Sequence, residues 1–187
     1  MAKKYARTIA KRSPQLPHSD DDGNKIHNEI LLSLPREERL IVFPKLEFVR
    51  LKFLQLLHEA GDSIKSAYFC NSGMISTLNV FPDGQTIEVG LIGKEGFVGL
   101  PLVAGFRSSS LRANVQIEGS AFRIGADALS DCLVRCPKLA KRLHQFTAMQ
   151  CSFCMICIDG IETAESRHMT LRIVPHEYRL VAGNIFQ

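Results

Sequence analysis

Between Leu46 and Ile124 the chain is cut into short apolar segments by turn residues, and that spacing limits the fold more than any other feature. Leu46–Leu51, Ser66–Phe69, Met74–Phe81, Gln85–Leu91, Asn114–Glu118 and Ala121–Ile124 are rich in Val, Ile, Phe and Leu. Gly61-Asp62, Asn71-Ser72-Gly73, Pro82-Asp83-Gly84, Gly93 and Gly96 punctuate them. Apolar runs this short, bounded by such residues, read as strands. Asp83-Gly84 between two alternating runs predicts a tight hairpin, because such turns need positive φ. The turns stand too close together for the crossover helices that a parallel sheet requires. The expected fold class is mainly β with flanking helices, an antiparallel β-roll or jelly roll.

The flanks have a different period. Asn28 can cap a short amphipathic helix that stops at Pro35, and a second short helix can open there. After Gly125 the pattern is helical again, with a break near Cys136-Pro137. Proline suits the first turn of a helix, where its missing N–H would go unpaired anyway. The helix from Pro137 is expected to reach about Ile158 and to stop around Asp159-Gly160. Leu139, Leu143, Phe146, Gln150, Phe153 and Cys157 follow alternating steps of four and three, and Met149 and Ile156 widen the stripe. This is the pattern of a coiled-coil seam with one polar position. It predicts homodimerisation along the helix, with packing against the protein's own β-region as the other reading.

Charge does not favour a nucleic-acid-binding body. The formal charge is +4, yet residues 1–17 carry five bases and no acid. The remaining residues hold 18 bases against 19 acids, so the folded part is close to neutral. Residues 1–24 read as a solvated basic-then-acidic tail, 25–136 as the β-domain with its helices, 137–160 as the dimer helix, and 161–187 as a segment of uncertain fold. No apolar run is long enough to span a bilayer, and no secretory signal is visible, so the expected setting is cytoplasmic. The six cysteines (70, 132, 136, 151, 154, 157) are then expected as thiols.

The ordered series Gly61-Asp62, Tyr68-Phe69, Ser72-Gly73, Asp83-Gly84 and Gly93-Lys94-Glu95-Gly96-Phe97-Val98-Gly99, with the heptad-like helix behind it, resembles the cyclic-nucleotide-binding β-roll. More narrowly it is similar to the sensor domain of Crp/Fnr-type transcription regulators, over residues 28–158. The resemblance implies a non-enzymatic effector sensor that dimerises through the helix from Pro137 and regulates transcription. It also implies a phosphate-binding cassette, in which a Gly-Glu pair opens a short helix and an Arg-Ser/Thr-Ala stretch follows. Backbone N–H groups at such a helix start and a nearby arginine together hold a phosphate.

Here Gly99 stands at the glycine position, but Leu100 replaces the glutamate and Pro101 follows. The arginine position falls near Ser109, with Ser110, Arg112 and Ala113 just beyond. Leu100 cannot accept a hydrogen bond from a ribose hydroxyl. These seven residues form the candidate effector-binding set, and their departures speak against cAMP or cGMP. No cofactor is therefore expected.

The same resemblance implies a DNA-binding helix-turn-helix after the dimer helix. Residues 161–187 show no pair of helices joined by a short turn and no basic recognition face. A regulator truncated before its DNA-binding module is the leading expectation, with a genuinely short protein left open. The runner-up function is a stand-alone module binding a cyclic nucleotide or another small effector and acting on a protein partner. A cupin-like enzyme is the remote alternative; it needs clustered histidines, and only His58 falls in the β-region. Cys151, Cys154 and Cys157 invite a metal reading, but at this helical spacing they read as small core hydrophobes.

Overall fold

The computed structural model describes the backbone of residues 25–162 and the side chains of residues 25–151. The expected tail, the segment from 163 onward, and the side chains of Phe153, Cys154 and Cys157 lie outside the described residues.

The first ordered elements are helix α1 (Glu29–Leu32), helix α2 (Arg36–Val42) and a single 3-10 turn, Phe43–Lys45. Asn28 caps α1 as its sequence suggests, its Oδ1 accepting the Leu31 N–H at 3.1 Å. The side chain also reaches well beyond its own helix. Its Nδ2 donates to the carbonyls of Cys70 and Gly96, each at 2.8 Å. Asn28 is fully buried, so all three bonds are made away from water.

Six strands follow: β1 (Glu47–Leu51), β2 (Leu56–His58), β3 (Ser66–Val80), β4 (Thr86–Ile92), β5 (Phe97–Val98) and β6 (Leu111–Gly125). Every pairing is antiparallel, in the order β1-β6-β3-β4, with β2 on β6 and β5 on β3. The Asp83-Gly84 hairpin joins β3 to β4, with Gly84 at φ 85°. Two expectations change. The segments Ser66–Phe69 and Met74–Phe81 belong to one strand, and so do Asn114–Glu118 and Ala121–Ile124. The Asn71-Ser72-Gly73 cluster is a series of bulges rather than a turn. Gly73 sits at φ 81°, and a Cβ there would stand 2.5 Å from the Ile117 carbonyl oxygen. Only glycine allows the two long strands to crowd and bend at this point.

The bend divides the roll into two ends. At one end, register places Phe48, Phe122, Phe69 and Phe97 in a row across β1, β6, β3 and β5. Directly opposed residues share a face of an antiparallel sheet. The rings duly meet, Phe48 to Phe122 at 5.5 Å and Phe69 to Phe97 at 5.8 Å between centroids.

Between β5 and β6 lies helix α3 (Leu100–Val103), and after β6 come α4 (Ala126–Arg135) and α5 (Pro137–Glu162). Gly160 does not end α5. Glycine inside a helix costs about 1 kcal/mol relative to alanine, which a long helix absorbs. The start of α5 is held from outside. The Glu38 carboxylate accepts the N–H groups of Lys138 and Leu139, both at 2.8 Å. This satisfies two amides that the helix itself cannot pair and places a negative charge at the positive end of its dipole.

Candidate effector site

The candidate cassette residues sit in two segments, at the start of α3 and at the start of β6. Gly99 adopts φ 112° and precedes α3, with the Ala67 Cβ only 3.1 Å from where its own Cβ would be. Leu100 packs against the apolar core, and Pro101 occupies the first turn of α3. The helix rests against α4 and α5. Ser109 is used by the backbone: its carbonyl accepts the Gly61 N–H at 2.7 Å and its Oγ accepts the Leu111 N–H at 3.1 Å. Ser110 is solvent-exposed.

Arg112 and Ala113 follow one another on β6 and so face opposite sides of the sheet. Ala113 is fully buried. Arg112 makes an ion pair with Glu59, its Nε donating to Oε1 at 2.8 Å and Oε2 at 3.0 Å. That bond holds the Glu59 carboxyl below its ordinary pKa and raises that of the Arg112 guanidinium. The arginine nearest the family's phosphate position is therefore already neutralised. Arg107 is likewise taken, by Asp127 at 2.6 Å.

The face that Ala113 shares is the informative one. Register aligns His58, Ala113, Thr77 and Gly90 across β2, β6, β3 and β4. Helix α5 covers the far end of this row. A Cβ added to Gly90 would lie 2.5 Å from the Gln150 Nε2 and 2.8 Å from the Thr77 Oγ1. The amide of Gln150 thus rests on the bare backbone of Gly90. Thr77 donates its hydroxyl to the Gly90 carbonyl at 3.1 Å. Among the described residues five buried polar atoms have no hydrogen-bond partner, His58 Nδ1 and Thr147 Oγ1 among them. Burial lowers the His58 pKa, against the opposing effects of the Leu111 backbone, Glu59 and Asp62. The ring is neutral at pH 7.

The helix stripe divides in the same way. Leu139, Leu143 and Phe146 are buried in the chain's own core, and Phe146 meets Phe97 at 5.6 Å. Gln150 turns to the sheet at Gly90. Met149 is 48% exposed. The positions available to a partner helix are thus Met149 and its exposed neighbours, and not the first half of the stripe. Of the three helix cysteines read as small core hydrophobes, only the Cys151 side chain is described, and it is exposed rather than packed in the core. Cys70, Cys132 and Cys136 are buried free thiols, with Cys70 pushed up to about 12 by desolvation. Among the described residues no group of His, Cys, Asp or Glu could hold a metal, and no helix is long and apolar enough to cross a membrane.

Sequence reading missed His58, Thr77, Gly90 and Glu59 as parts of a site. They come from three segments whose alignment depends on a register shift between Leu56 and His58. No spacing in the sequence carries that shift.

No family model matches the chain, and no curated protein matches it. Solved structures do. A putative transcriptional regulator of the Crp/Fnr family from Eubacterium rectale matches with a TM-score of 0.63 at 14% identity, over 74% of this chain and 66% of that one. The c-di-GMP responsive global regulator CLP of Xanthomonas campestris matches with 0.61 at 12% identity, over 70% and 66%. The sensor domain of the transcriptional regulator DNR from Pseudomonas aeruginosa matches with 0.52 at 14% identity, over 75% of this chain and 90% of that one. The chain thus spans about two thirds of the first two regulators and most of an isolated sensor domain. At these identities the likeness is one of fold: a cyclic-nucleotide-binding-type β-roll followed by its long helix.

Proposed function

We propose that this chain, which has the fold of the sensor domains of Crp/Fnr-type regulators, is a non-enzymatic effector-sensing and dimerising domain that acts in transcription regulation. The observation that supports this best is the way α5 touches both ends of the roll. Its Phe146 is seated in the aromatic core, and its Gln150 lies on the sheet floor at Gly90. An effector bound on that floor changes what Gln150 touches. It thereby biases α5 against the β-roll, and a two-state shift of this kind is what a regulator's helix transmits. The second copy of the chain meets α5 on its exposed side, around Met149. Cyclic nucleotide is not the effector on this reading, because Leu100 offers no acceptor and Arg112 is bound to Glu59.

Sedimentation tests the dimer. The 20.9 kDa chain is expected to run at twice its mass. Met149→Asp is expected to run as a folded monomer, whereas Leu143→Asp, which places a charge in the chain's own core, is expected to unfold. A wild-type chain that sediments as a monomer would remove the dimerisation part of the proposal.

A further inference from the structure

We propose that the turn between β1 and β2 is a docking tip for an anionic lipid bilayer surface, with Phe53 and Leu54 entering the acyl region and Arg50 and Lys52 meeting the headgroups. The proposal goes beyond the sensor reading and does not depend on it. Three observations carry it.

The first is exposed apolar area on a stiff support. Phe53, Leu54 and Leu56 are 63%, 65% and 51% exposed, three large apolar side chains within four residues. A single exposed apolar side chain is ordinary, whereas a contiguous group marks a protein or membrane contact. The backbone beneath them is tied to the sheet. Leu51 pairs with Gly119, and Val115 donates its N–H to the Gln55 carbonyl at 2.9 Å, so residues 52–54 span Gln116–Glu118 of β6. Within the turn, Leu54 donates its N–H to the Val115 carbonyl at 2.9 Å and Gln55 to the Lys52 carbonyl at 3.0 Å. The Gln55 Oε1 accepts the Lys52 N–H, also at 3.0 Å.

The second is strain at the same place. Leu54 has φ 60°, and among the described residues no other non-glycine has a positive φ. Glycine reaches this region freely, whereas an L side chain is strained there. The leucine side chain stands mostly in water, so it does not offset that cost by packing inside the fold. Strain of this kind persists where a side chain has a use outside the fold.

The third is charge. Arg50 and Lys52 are exposed, and neither forms an ion pair among the described residues. Glu118 is exposed across the turn, which leaves the tip with one positive charge in excess. The basic tail adds to it. The Lys25 carbonyl accepts from the Asn71 side-chain amide at 3.1 Å, and Asn71 adjoins the row Ser72, Ser120, Arg50 across β3, β6 and β1. Two strand spacings, roughly 10 Å, therefore separate the entry of the chain into the fold from β1. Beyond the acidic run Asp20-Asp21-Asp22, residues 1–17 carry five bases and no acid. An apolar insertion and a cluster of bases are the two signals that peripheral membrane binding needs. Nucleic-acid phosphates would satisfy the bases and leave Phe53 and Leu54 in water; a bilayer accommodates both.

The test uses the full 187-residue chain, which has no tryptophan. Phe53→Trp places the only indole at the tip. Its emission is expected to shift to the blue with vesicles of equimolar phosphatidylcholine and phosphatidylglycerol, and to stay unchanged with phosphatidylcholine alone. Phe106→Trp, at a site 66% exposed on another loop, is expected to show no shift with either. In vesicle flotation, Leu54→Gly is expected to bind the anionic vesicles at least about tenfold more weakly than wild type, the loss of one buried leucine side chain. It is expected to melt at or above the wild-type temperature, because glycine adopts this φ without strain. Absence of a blue shift with the anionic vesicles overturns the proposal. Equal flotation of wild type and Leu54→Gly also overturns it, since the tail alone would then account for binding. A shift with duplex DNA or polyglutamate and none with vesicles overturns it in favour of a nucleic acid or an acidic protein. Flotation compares wild type with a variant that relaxes the backbone, so a misfolded tryptophan variant leaves it decisive.

Discussion

The same two strands, β3 and β6, build opposite ends of this roll, and the two ends are made of opposite materials. Between Ser66 and Cys70, β3 pairs with Ala121–Gly125 and carries Phe69 against Phe122. Beyond the bend at Gly73 it pairs with Leu111–Ile117 and carries Thr77 against Ala113. Helix α5 answers each end with a matching residue one turn apart, Phe146 on Phe97 and Gln150 on Gly90. The aromatic end buries large area with no polar cost, so it holds the fold. The other end gives up that area and leaves polar atoms unpaired, which lowers stability and is characteristic of a site.

The largest test of this division compares the two helix residues. Phe146→Ala removes a ring from a packed core and is expected to cost about 3–5 kcal/mol. Gln150→Ala, one turn later, is expected to cost less than about 1 kcal/mol, since it deletes no apolar core contact. Urea unfolding monitored by circular dichroism reads both. Equal losses would mean that the two ends are one continuous core.

A smaller effect comes from pH. His58 has its pKa lowered from 6.5 by burial, so the unfolded chain binds its proton more readily than the folded one. The stability this group lends is complete above its unfolded pKa and is lost as pH falls from there through the folded value. Wild-type protein is therefore expected to lose stability between pH 7.5 and 5.5 more steeply than His58→Gln. Parallel slopes from denaturation at those two pH values would show that His58 is freely solvated.

The smallest effect belongs to the outer face. Arg112→Ala is expected to leave the melting temperature nearly unchanged, because half-exposed ion pairs add little. A drop of several degrees on that substitution would show that the Arg112–Glu59 pair is shielded from water.

Much of the architecture was legible in the sequence, for local reasons. Asp83-Gly84 makes a hairpin because its turn needs φ > 0, whatever surrounds it. Asn28 and Pro137 mark helix starts because capping and proline geometry act within a few residues. The candidate site was legible only in outline. Gly99 is correctly the residue before a short helix. Arg112 looked available because nothing near it in the chain is acidic; Glu59, 53 residues earlier, neutralises it. Leu139, Leu143 and Phe146 looked like an intermolecular seam because a stripe at this period does not state what it faces.

What the sequence determined by itself is the set of elements: short strands, a tight hairpin, two capped helix starts and a long amphipathic helix. These depend on dihedral preferences and periodicities that operate over a turn or two. Tertiary structure alone decided which end of the roll would be filled with aromatic rings and which would carry small and polar side chains. That outcome depends on strand register, and a shift of one residue exchanges the faces of a strand. The bulge before His58 turns the imidazole toward Ala113 and sends Glu59 to Arg112. One residue of register thus separates a floor without charge from an ion pair on the opposite face.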